Sequence, residues 1–441
     1  MLRHSPTSQY VVAYSGGLDS TVLLHALLEL KSNAQVRAVH IHHGLQPAAD
    51  AWVVHCRDFC AQRGVECVVH HASLDANAGN LEAMARQARY AFFKQTVGQH
   101  EMLLLAHHAD DQAETVLLRL MRGAGVRGLG AMAAFRPFGA GFLSRPLLTL
   151  SRDALEEYAR AKQLSWIEDE SNRDERFERN FLRWQVMPQL RNRWPGADQC
   201  LARAASHCRE SQDLLDELAQ ADLTMATAAG DDQLNCDALL ALGAARRRNA
   251  LRYWMHQLGY PLPSAAKLEE ITSAVLTARD DAQPLVAWSG VEVRRFRRKI
   301  YIMPAQKSPI MAGELIWDWQ QALPLPEGGS LHARSVQGRG ISVAVLRGQT
   351  LTVRYRHGGE KCRPAGRQQS KRLKTLLQEW HIPPWLRHRV PLLYQGQELI
   401  AVADLCVSEA FNSKPDEPGV LIEWRKNSVP NPSLVYNYDD E

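Results

Sequence analysis

Apolar residues in the first third of the chain fall into short β-rich runs that alternate with helical patterns. Tyr10 to Tyr14, Val36 to Ile41, Val65 to Val69 and Met102 to Ala106 are the runs, while Thr21 to Leu30, Ala51 to Arg63, Leu81 to Val97 and Ala113 to Arg122 carry helical spacing. That βαβα order predicts an α/β domain with a parallel sheet covered by helices. Such sheets take ligands at the carboxyl ends of their strands, where the connecting loops gather. After Arg193-Trp194-Pro195-Gly196 the spacing turns helical, with Cys200 to Leu218 and Cys236 to Leu258 as amphipathic helices and Pro261-Leu-Pro263 as a break. Val291 to Met303 reads as a strand pair bearing Arg294, Arg295, Arg297, Arg298 and Lys299. Gly328-Gly329 and Gly338-Arg-Gly340 punctuate short strands, and a small α+β region begins at Leu351. The pattern divides the chain into residues 1–198, a mostly helical middle domain over 199–305 with basic strands, and a C-terminal domain over 345–428. The last dozen residues, with Pro430, Asn431 and Pro432 and an acidic end, read as disordered.

Composition narrows the class. A chain of 441 residues that is 45% hydrophobic and 23% charged has the balance of a globular protein with sizeable cores. No apolar run approaches the roughly 18 residues that span a bilayer, and Met1-Leu-Arg-His-Ser-Pro lacks a signal-peptide core, so the expectation is a cytoplasmic protein with no membrane partner. Of eight cysteines only Cys56, Cys60 and Cys67 group locally, at spacings that fit neither a redox pair nor a zinc knuckle. Cys56 and Cys60 stand four apart in a helical stretch and read as reduced, small, buried apolar groups on one face. The net charge of +4 says little, but Leu351 to Val390 holds ten Lys or Arg (Arg354, Arg356, Lys361, Arg363, Arg367, Lys371, Arg372, Lys374, Arg387, Arg389) against Glu360 and Glu379. A polyanion fits such a surface, and nucleic acid is the commonest one.

The chemistry starts at Ser15-Gly-Gly-Leu-Asp-Ser20, which follows the first strand and opens a helix. Without Cβ atoms, Gly16 and Gly17 let phosphate oxygens approach backbone N–H groups, and the helix N-terminus adds roughly half a positive charge. Ser15 and Ser20 offer hydroxyls to the same phosphates; Asp19 repels an anion and so calls for a bridging Mg²⁺. The Walker ending Gly-Lys-Ser/Thr is missing, which weakens the common ATPase reading. The plain alternative, a tight turn with Asp19 complementing the helix dipole, explains a lone Gly-Gly but not the strand, helix and paired serines around it.

A second constellation, His107-His108-Ala-Asp110-Asp111-Gln112-Ala-Glu114-Thr115, again joins strand to helix. Asp111 and Glu114 project from one face of its first turn, where acids also serve to stabilise the helix. Converging on the first motif, they could hold Mg²⁺ or a cationic substrate. His40-Ile-His42-His43 ends the second strand; no cysteine or carboxylate completes a zinc set, so His40 is read as a nucleotide contact.

The first motif resembles that of the PP-loop ATP pyrophosphatases, an adenine nucleotide alpha hydrolase-like fold, which cleave ATP between the α and β phosphates. Together with Arg122-Gly-Ala-Gly125, Arg145-Pro-Leu-Leu148, Glu168-Asp-Glu-Ser-Asn172 and Arg179-Asn-Phe-Leu-Arg183, the motifs resemble the tRNA(Ile)-lysidine synthetase family over Ser8 to about Leu190. The resemblance implies a ligase that joins lysine to C2 of the wobble cytidine in the CAU anticodon of tRNA(Ile) through an adenylated cytidine, switching codon and amino-acid identity from Met to Ile. It implies that Ser15, Gly16, Gly17, Leu18, Asp19, Ser20 and His40 hold ATP. Mg²⁺ is expected on Asp19 and Asp111, catalysis by Asp111 and Glu114, and Arg183 on phosphate or the anticodon, with an ion pair to Glu178 or Asp169 as its plain alternative. Arg363, Lys371 and Arg372 would grip tRNA, with the Arg-rich strand near Arg295 adding to that surface and Trp380 and Trp385 available for stacking or for the core. The oligomeric state stays open, a homodimer included. Two rivals remain: a tRNA thiolase, which requires Cys56, Cys60 or Cys67 to fold into the site, and a non-catalytic tRNA binder, against which Asp19, Asp111 and Glu114 count.

Overall fold

The computed structural model describes residues 7–30, 34–42, 44, 48–72, 81–169, 174–227, 232–279, 281–305, 313–326 and 329–425. His43, Glu170-Ser-Asn172, Gly328 and the C-terminal dozen lie outside these. The chain forms two compact units, the first ending at Glu217 and the second running from Leu218.

In the first unit the elements alternate as β1 (Gln9–Ala13), α1 (Leu18–Leu30), β2 (Gln35–His42), α2 (Ala49–Ala61), β3 (Glu66–His71), α3 (Leu81–Thr96), β4 (Glu101–Leu104) and α4 (Ala109–Met121). A short α5 (Val126–Leu129), β5 (Phe135–Phe138) and β6 (Gly141–Ser144) follow, then α6 (Arg152–Ala161), α7 (Glu178–Phe181), a π-helical turn over Leu182–Val186, α8 (Met187–Arg193) and α9 (Ala197–Ala226). The sheet order is β3-β2-β1-β4-β6-β5, parallel except for the β5–β6 pair. This is the α/β architecture expected, extended by a hairpin edge that the sequence pattern did not announce: both strands are four residues long, too short for a period to register. From β1 the chain moves outward through β2 to β3, then crosses back to place β4 on the other side of β1. Strand order therefore reverses between β1 and β4, and a crevice opens at their carboxyl ends.

Apolar residues cover both faces of the sheet. Tyr10, Val12, Leu104 and the α1 residues Leu18, Val22, Leu23, Leu24 and Leu27 build one core, and Val11, Val39, Tyr90, Phe93, Leu103 and Leu143 the other. Buried residues on both faces of β1 and β4 explain why those strands read as continuous apolar runs.

The second unit begins with β7 (Leu234–Asn235), α10 (Cys236–Ala241), α11 (Ala244–Gln257) and α12 (Ala265–Glu270), against which β8 (Leu285–Trp288), β9 (Val291–Phe296) and β10 (Lys299–Pro304) pack. The helix expected over Cys236 to Leu258 is broken at Leu242-Gly243. Arg247 explains the break, because its guanidinium donates to the carbonyls of Leu239, Leu240 and Leu242 and so replaces the lost helical bonds. The expected strand pair is present, and Arg297 and Arg298 form its turn at φ +49 and +59, the left-handed pair of a type I′ hairpin. Arg295 is not part of a basic surface: it is buried and donates to the carbonyls of Leu276 and Ala278.

Beyond these lie β11 (Leu315–Trp317), β12 (Leu323–Pro324), β13 (Ser330–Gln337), β14 (Ile341–Ser342), α13 (Val343–Leu346), β15 (Leu351–Arg354), β16 (Lys361–Cys362), β17 (Lys371–Arg372), α14 (Leu373–Glu379), β18 (Leu392–Gln395), β19 (Glu398–Val402), β20 (Cys406–Val407) and β21 (Pro418–Arg425). They form antiparallel sheets ordered β11-β15-β18-β19-β20 and β12-β13-β21-β14, beside a separate β16–β17 hairpin. Trp385 belongs to the interior, edge-on to Tyr301 and Phe296 with ring centroids 5.4 and 6.2 Å away. Among the described residues no helix is long and apolar enough to cross a membrane.

The core assignment predicts that Leu24→Ala, at a fully buried position, costs about 2–5 kcal/mol, whereas Leu30→Ala, 70% exposed at the same helix's end, stays within about 0.5 kcal/mol. Urea unfolding followed by far-UV circular dichroism measures both.

Candidate active site

β1 ends at Ala13 and passes through Tyr14 into Ser15-Gly16-Gly17 before α1 starts. Gly16 has φ +83, and a Cβ there would come within 2.5 Å of Ile167 Cδ1 and 2.9 Å of Cys56 Sγ. Conformation and space both require glycine at this position. Gly17 meets no such demand from the protein, its nearest neighbour being Ser15 Oγ at 3.4 Å. The loop is bonded to itself. Ser15 N–H donates to Ser20 Oγ over 3.2 Å, the Ser15 and Ser20 hydroxyls lie 3.0 Å apart, and Ser20 Oγ donates to the Gly17 carbonyl at 3.0 Å. Ile167 N–H closes it from the other side, donating to Gly16 O at 2.9 Å.

His40 is buried beneath this turn with Nδ1 3.0 Å from the Tyr14 carbonyl. A carbonyl only accepts, so Nδ1 carries the proton and braces the entry to the loop. Cys56 folds against the same place, 3.4 Å from His40 Nδ1, so a cysteine remote from the motif in sequence does lie beside it. Its thiol is fully buried, and that burial pushes its pKa up to about 12. It is a packing group, since a reactive cysteine requires an exposed, stabilised thiolate.

β4 delivers the second motif to the adjacent strand end. His108 caps α4, and its own N–H donates to Asp111 Oδ2 at 3.0 Å in a capping-box arrangement. Its Nε2 lies 3.4 Å from Asp111 Oδ2 and 3.8 Å from Asp19 Oδ2, so the two motifs meet across one imidazole. Burial would lower the His108 pKa, but Asp110, 3.5 Å from its Nδ1, and the charges of Asp111 and Asp19 outweigh it and raise it. Asp111 and Glu114 share two guanidiniums. Arg179 reaches Glu114 Oε2 at 2.8 Å and Asp111 Oδ1 at 3.0 Å, and Arg183 reaches Glu114 Oε1 at 2.7 Å and Asp111 Oδ1 at 3.1 Å. Burial would raise the Asp111 carboxyl, yet Arg179, His108, His107 and Arg183 hold it far below the usual range. Arg183 thus pairs with the acids of α4, while Glu178 pairs with Arg122 at 2.9 Å.

Asp19 is gripped by both contacts of Arg152 Nη1, at 3.0 and 2.9 Å, and burial lifts its pKa against the opposing pull of His108 and Arg152. Asp110 accepts from the Arg152 backbone N–H at 3.0 Å and pairs with Arg191. Its pKa is pulled down to about 2 despite burial, chiefly by the His108 imidazole 3.5 Å away and the Arg152 N–H. Behind the site Arg145, with no exposed surface, donates from Nε to His107 Nδ1 at 3.0 Å, and burial keeps His107 well below its ordinary pKa.

Sequence reasoning missed Arg152, the Arg179 partnership, the bridging role of His108, and Ile167. Arg152 opens a helix 133 residues from its partner, and nothing in local spacing links the two. Arg363, Lys371 and Arg372 belong to the second unit. Lys361 pairs with Arg372 across the β16–β17 hairpin backbone, Lys371 is bound to Glu379 at 2.6 Å, and Arg363 and Arg372 are exposed. Among the described residues no cluster of three or more His, Cys, Asp or Glu side chains is arranged to hold a metal alone.

A parallel sheet with a reversal of strand order, a glycine turn running into a helix N-terminus and acids converging from the next strand define a nucleotide-using α/β enzyme domain. Comparison places it: residues 1–190 match the PP-loop domain, 234–301 the TilS substrate binding domain and 351–424 the TilS substrate C-terminal domain. The tRNA(Ile)-lysidine synthase of Coxiella burnetii is 44% identical over 94% of this chain and 93% of its own length, and that of Edwardsiella ictaluri 43% identical over 95% of each. The protein of the same name from Methylococcus capsulatus is 40% identical over 95% of this chain and 97% of its own. The chain belongs to the tRNA(Ile)-lysidine synthase family and is a PP-loop ligase.

The loop geometry predicts that Gly16→Ala lowers stability by about 1–3 kcal/mol, while Gly17→Ala leaves the melting temperature of the empty protein close to that of the parent. Differential scanning fluorimetry distinguishes them; equal melting points would remove the steric requirement at Gly16.

Proposed function

We propose that this chain ligates lysine to C2 of the wobble cytidine in the CAU anticodon of tRNA(Ile), consuming ATP and releasing AMP and pyrophosphate. The observation that carries the reading is the meeting of Asp19, Asp111 and Glu114 beside the Ser15–Ser20 turn, in a chain whose relatives carry that enzyme's name. The catalytic domain ends near residue 198, and the middle and C-terminal domains present the tRNA.

In the first step the cytidine O2 attacks the α-phosphorus of ATP, the bond to the β-phosphate breaks, and pyrophosphate leaves. The backbone N–H groups of Gly16, Gly17 and Leu18 and the hydroxyls of Ser15 and Ser20 bind the phosphates and orient the α-phosphorus. In the second step the neutral ε-amine of lysine bonds to C2, and the C2–O2 bond breaks to release AMP. A free lysine amine has a pKa of about 10.4, so it must lose a proton before attack. Asp111 and Glu114 hold the incoming ammonium and accept that proton. Arg179 and Arg183 hold the Asp111 pKa down, so Asp111 becomes a proton acceptor only as phosphate draws a guanidinium away. Arg183 turns to phosphate in this scheme.

Asp19 and Asp111 are the carboxylates that would hold a hard divalent cation, since both face His108 Nε2, at 3.8 and 3.4 Å, and carboxylate oxygen is the donor that Mg²⁺ prefers. A Mg²⁺ held there would supply charge neutralisation for the phosphates, and Asp19 would serve it in exchange for its ion pair with Arg152.

A thiolase reading lacks a reactive thiol at this site, because Cys56 is the cysteine beside the loop and its thiol is buried.

Incorporation of labelled lysine into bulk tRNA with ATP and Mg²⁺ tests the reaction. Label that depends on ATP and disappears in Asp19→Ala is expected; pyrophosphate release on tRNA without label would transfer the chain to another acceptor chemistry. Asp111→Asn is expected to lose product by at least about a hundredfold while tRNA affinity changes little. Turnover like that of the parent would exclude Asp111 from the mechanism.

The tRNA grip is tested through salt. Changing Arg363, Lys371 and Arg372 together to Ala should weaken binding and reduce the slope of log affinity against log salt by about one for each phosphate that is no longer neutralised. Lys371 should contribute least, because Glu379 already neutralises it. Filter binding from low to high salt with an unchanged slope would move the RNA surface elsewhere.

A further inference from the structure

We propose that Cys362 and Cys406 form a redox modification site, a thiol pair that a hydroperoxide converts into a reversible disulfide within the C-terminal domain. Their sulfurs lie 3.9 Å apart although 44 residues separate them in sequence. That is already van der Waals contact, and side-chain rotation together with a small strand shift closes the remaining gap to the roughly 2.05 Å of a disulfide. Cys362 ends β16 and is buried; Cys406 opens β20 and is partly exposed, so the two are asymmetric in access.

The surroundings set the order of events. Ser408 Oγ lies 3.2 Å from Cys362 Sγ and Cys406 Sγ 3.9 Å from it. The Cys406 contact, with Ser408 beside it, pulls the Cys362 pKa down to about 7, and the same contact pushes Cys406 up, so Cys362 is the sulfur that ionises first. The Cys362 thiolate attacks the peroxide, breaking the O–O bond. It becomes a sulfenic acid while the peroxide leaves as an alcohol, or as water from hydrogen peroxide. Cys406 sulfur then attacks that sulfenic sulfur, and hydroxide leaves with the Cys406 proton as water. Two thiols lose two electrons in total, and the hydroperoxide accepts them.

The pair is placed to affect substrate binding. Cys362 stands between Lys361 and Arg363, both exposed, and pairs in register with Lys371. A bond to β20 moves the two-residue strand that carries these cations. This consequence rests on the reading of the hairpin as a tRNA grip; the disulfide itself does not.

The test treats the full-length chain with hydrogen peroxide and maps peptides by mass spectrometry, with exposed Cys200 reporting that oxidant has arrived. The expected product is a 362–406 cross-linked peptide lighter by two hydrogens, removed by dithiothreitol and absent in Cys406→Ser. Oxidation of Cys200 without that cross-link, or Cys362 advancing to sulfinic acid with Cys406 still reduced, would overturn the proposal. Mapping the unmodified sequence keeps the result independent of whether any variant folds. In parallel, oxidised protein is expected to bind tRNA at least threefold more weakly, with recovery on reduction. A cross-linked chain with unchanged affinity would overturn the regulatory consequence while leaving the modification site in place, and failure of the reduced chain to bind tRNA would instead fault the hairpin's assignment as the grip.

Discussion

Four carboxylates, those of Asp19, Asp110, Asp111 and Glu114, converge where β1 and β4 end, and in a buried region each needs a partner to remain ionised. An unpaired buried charge costs several kcal/mol, so the fold has to deliver cations to the same spot. It delivers four: Arg152 to Asp19, Arg191 to Asp110, and Arg179 and Arg183 to Asp111 and Glu114. All four guanidiniums come from chain segments after the β5–β6 hairpin, while all four acids come from the βα turns before it. The sheet positions the acids, and the helices that follow neutralise them.

This balance shapes the chemistry proposed for the site. Guanidinium suits it better than ammonium, because its planar fork bonds two carboxylates at once and stays charged throughout the accessible pH range. The same fork also fits phosphate. In the proposed scheme a nucleotide exchanges partners with Arg152 and Arg183, each arginine gaining phosphate oxygens as it gives up a carboxylate. The freed carboxylates then face a divalent cation or an ammonium. A site built from acids alone would bind cations at rest; one closed by arginines keeps its acids in reserve for the ligands of the reaction.

The sequence revealed the parts of this arrangement that are local and little of what is distant. The Ser15–Ser20 turn and the His107–Thr115 motif were readable because strand, turn and helix follow one another within a dozen residues, each with its own period. The reversal of strand order that joins them was implied only by the βαβα rhythm. Arg152 and Arg179 were invisible as partners because charge pairing over 65 to 133 residues leaves no trace in spacing. Cys56 was read correctly as a buried apolar group, yet its contact with Gly16 needed the packing of α2 against the end of β1. Among the cations of that strand pair Arg295 shows the opposite failure: composition suggested a surface, but burial and the Leu276 and Ala278 carbonyls make Arg295 a structural tie.

Gly16 and Gly17 separate two uses of glycine within one motif. At Gly16 the protein itself makes the demand, through a left-handed backbone wedged between Ile167 and Cys56. At Gly17 the empty protein leaves ordinary room, so a side chain there would obstruct only something that comes later. In the proposed function that room is left for an approaching ligand, and a helix N-terminus beside two hydroxyls favours an anion. Under the function proposed above, Asp19 and Asp111 would add a divalent cation to that anion, and a nucleoside triphosphate carrying Mg²⁺ is the ligand that would fit both halves of the site.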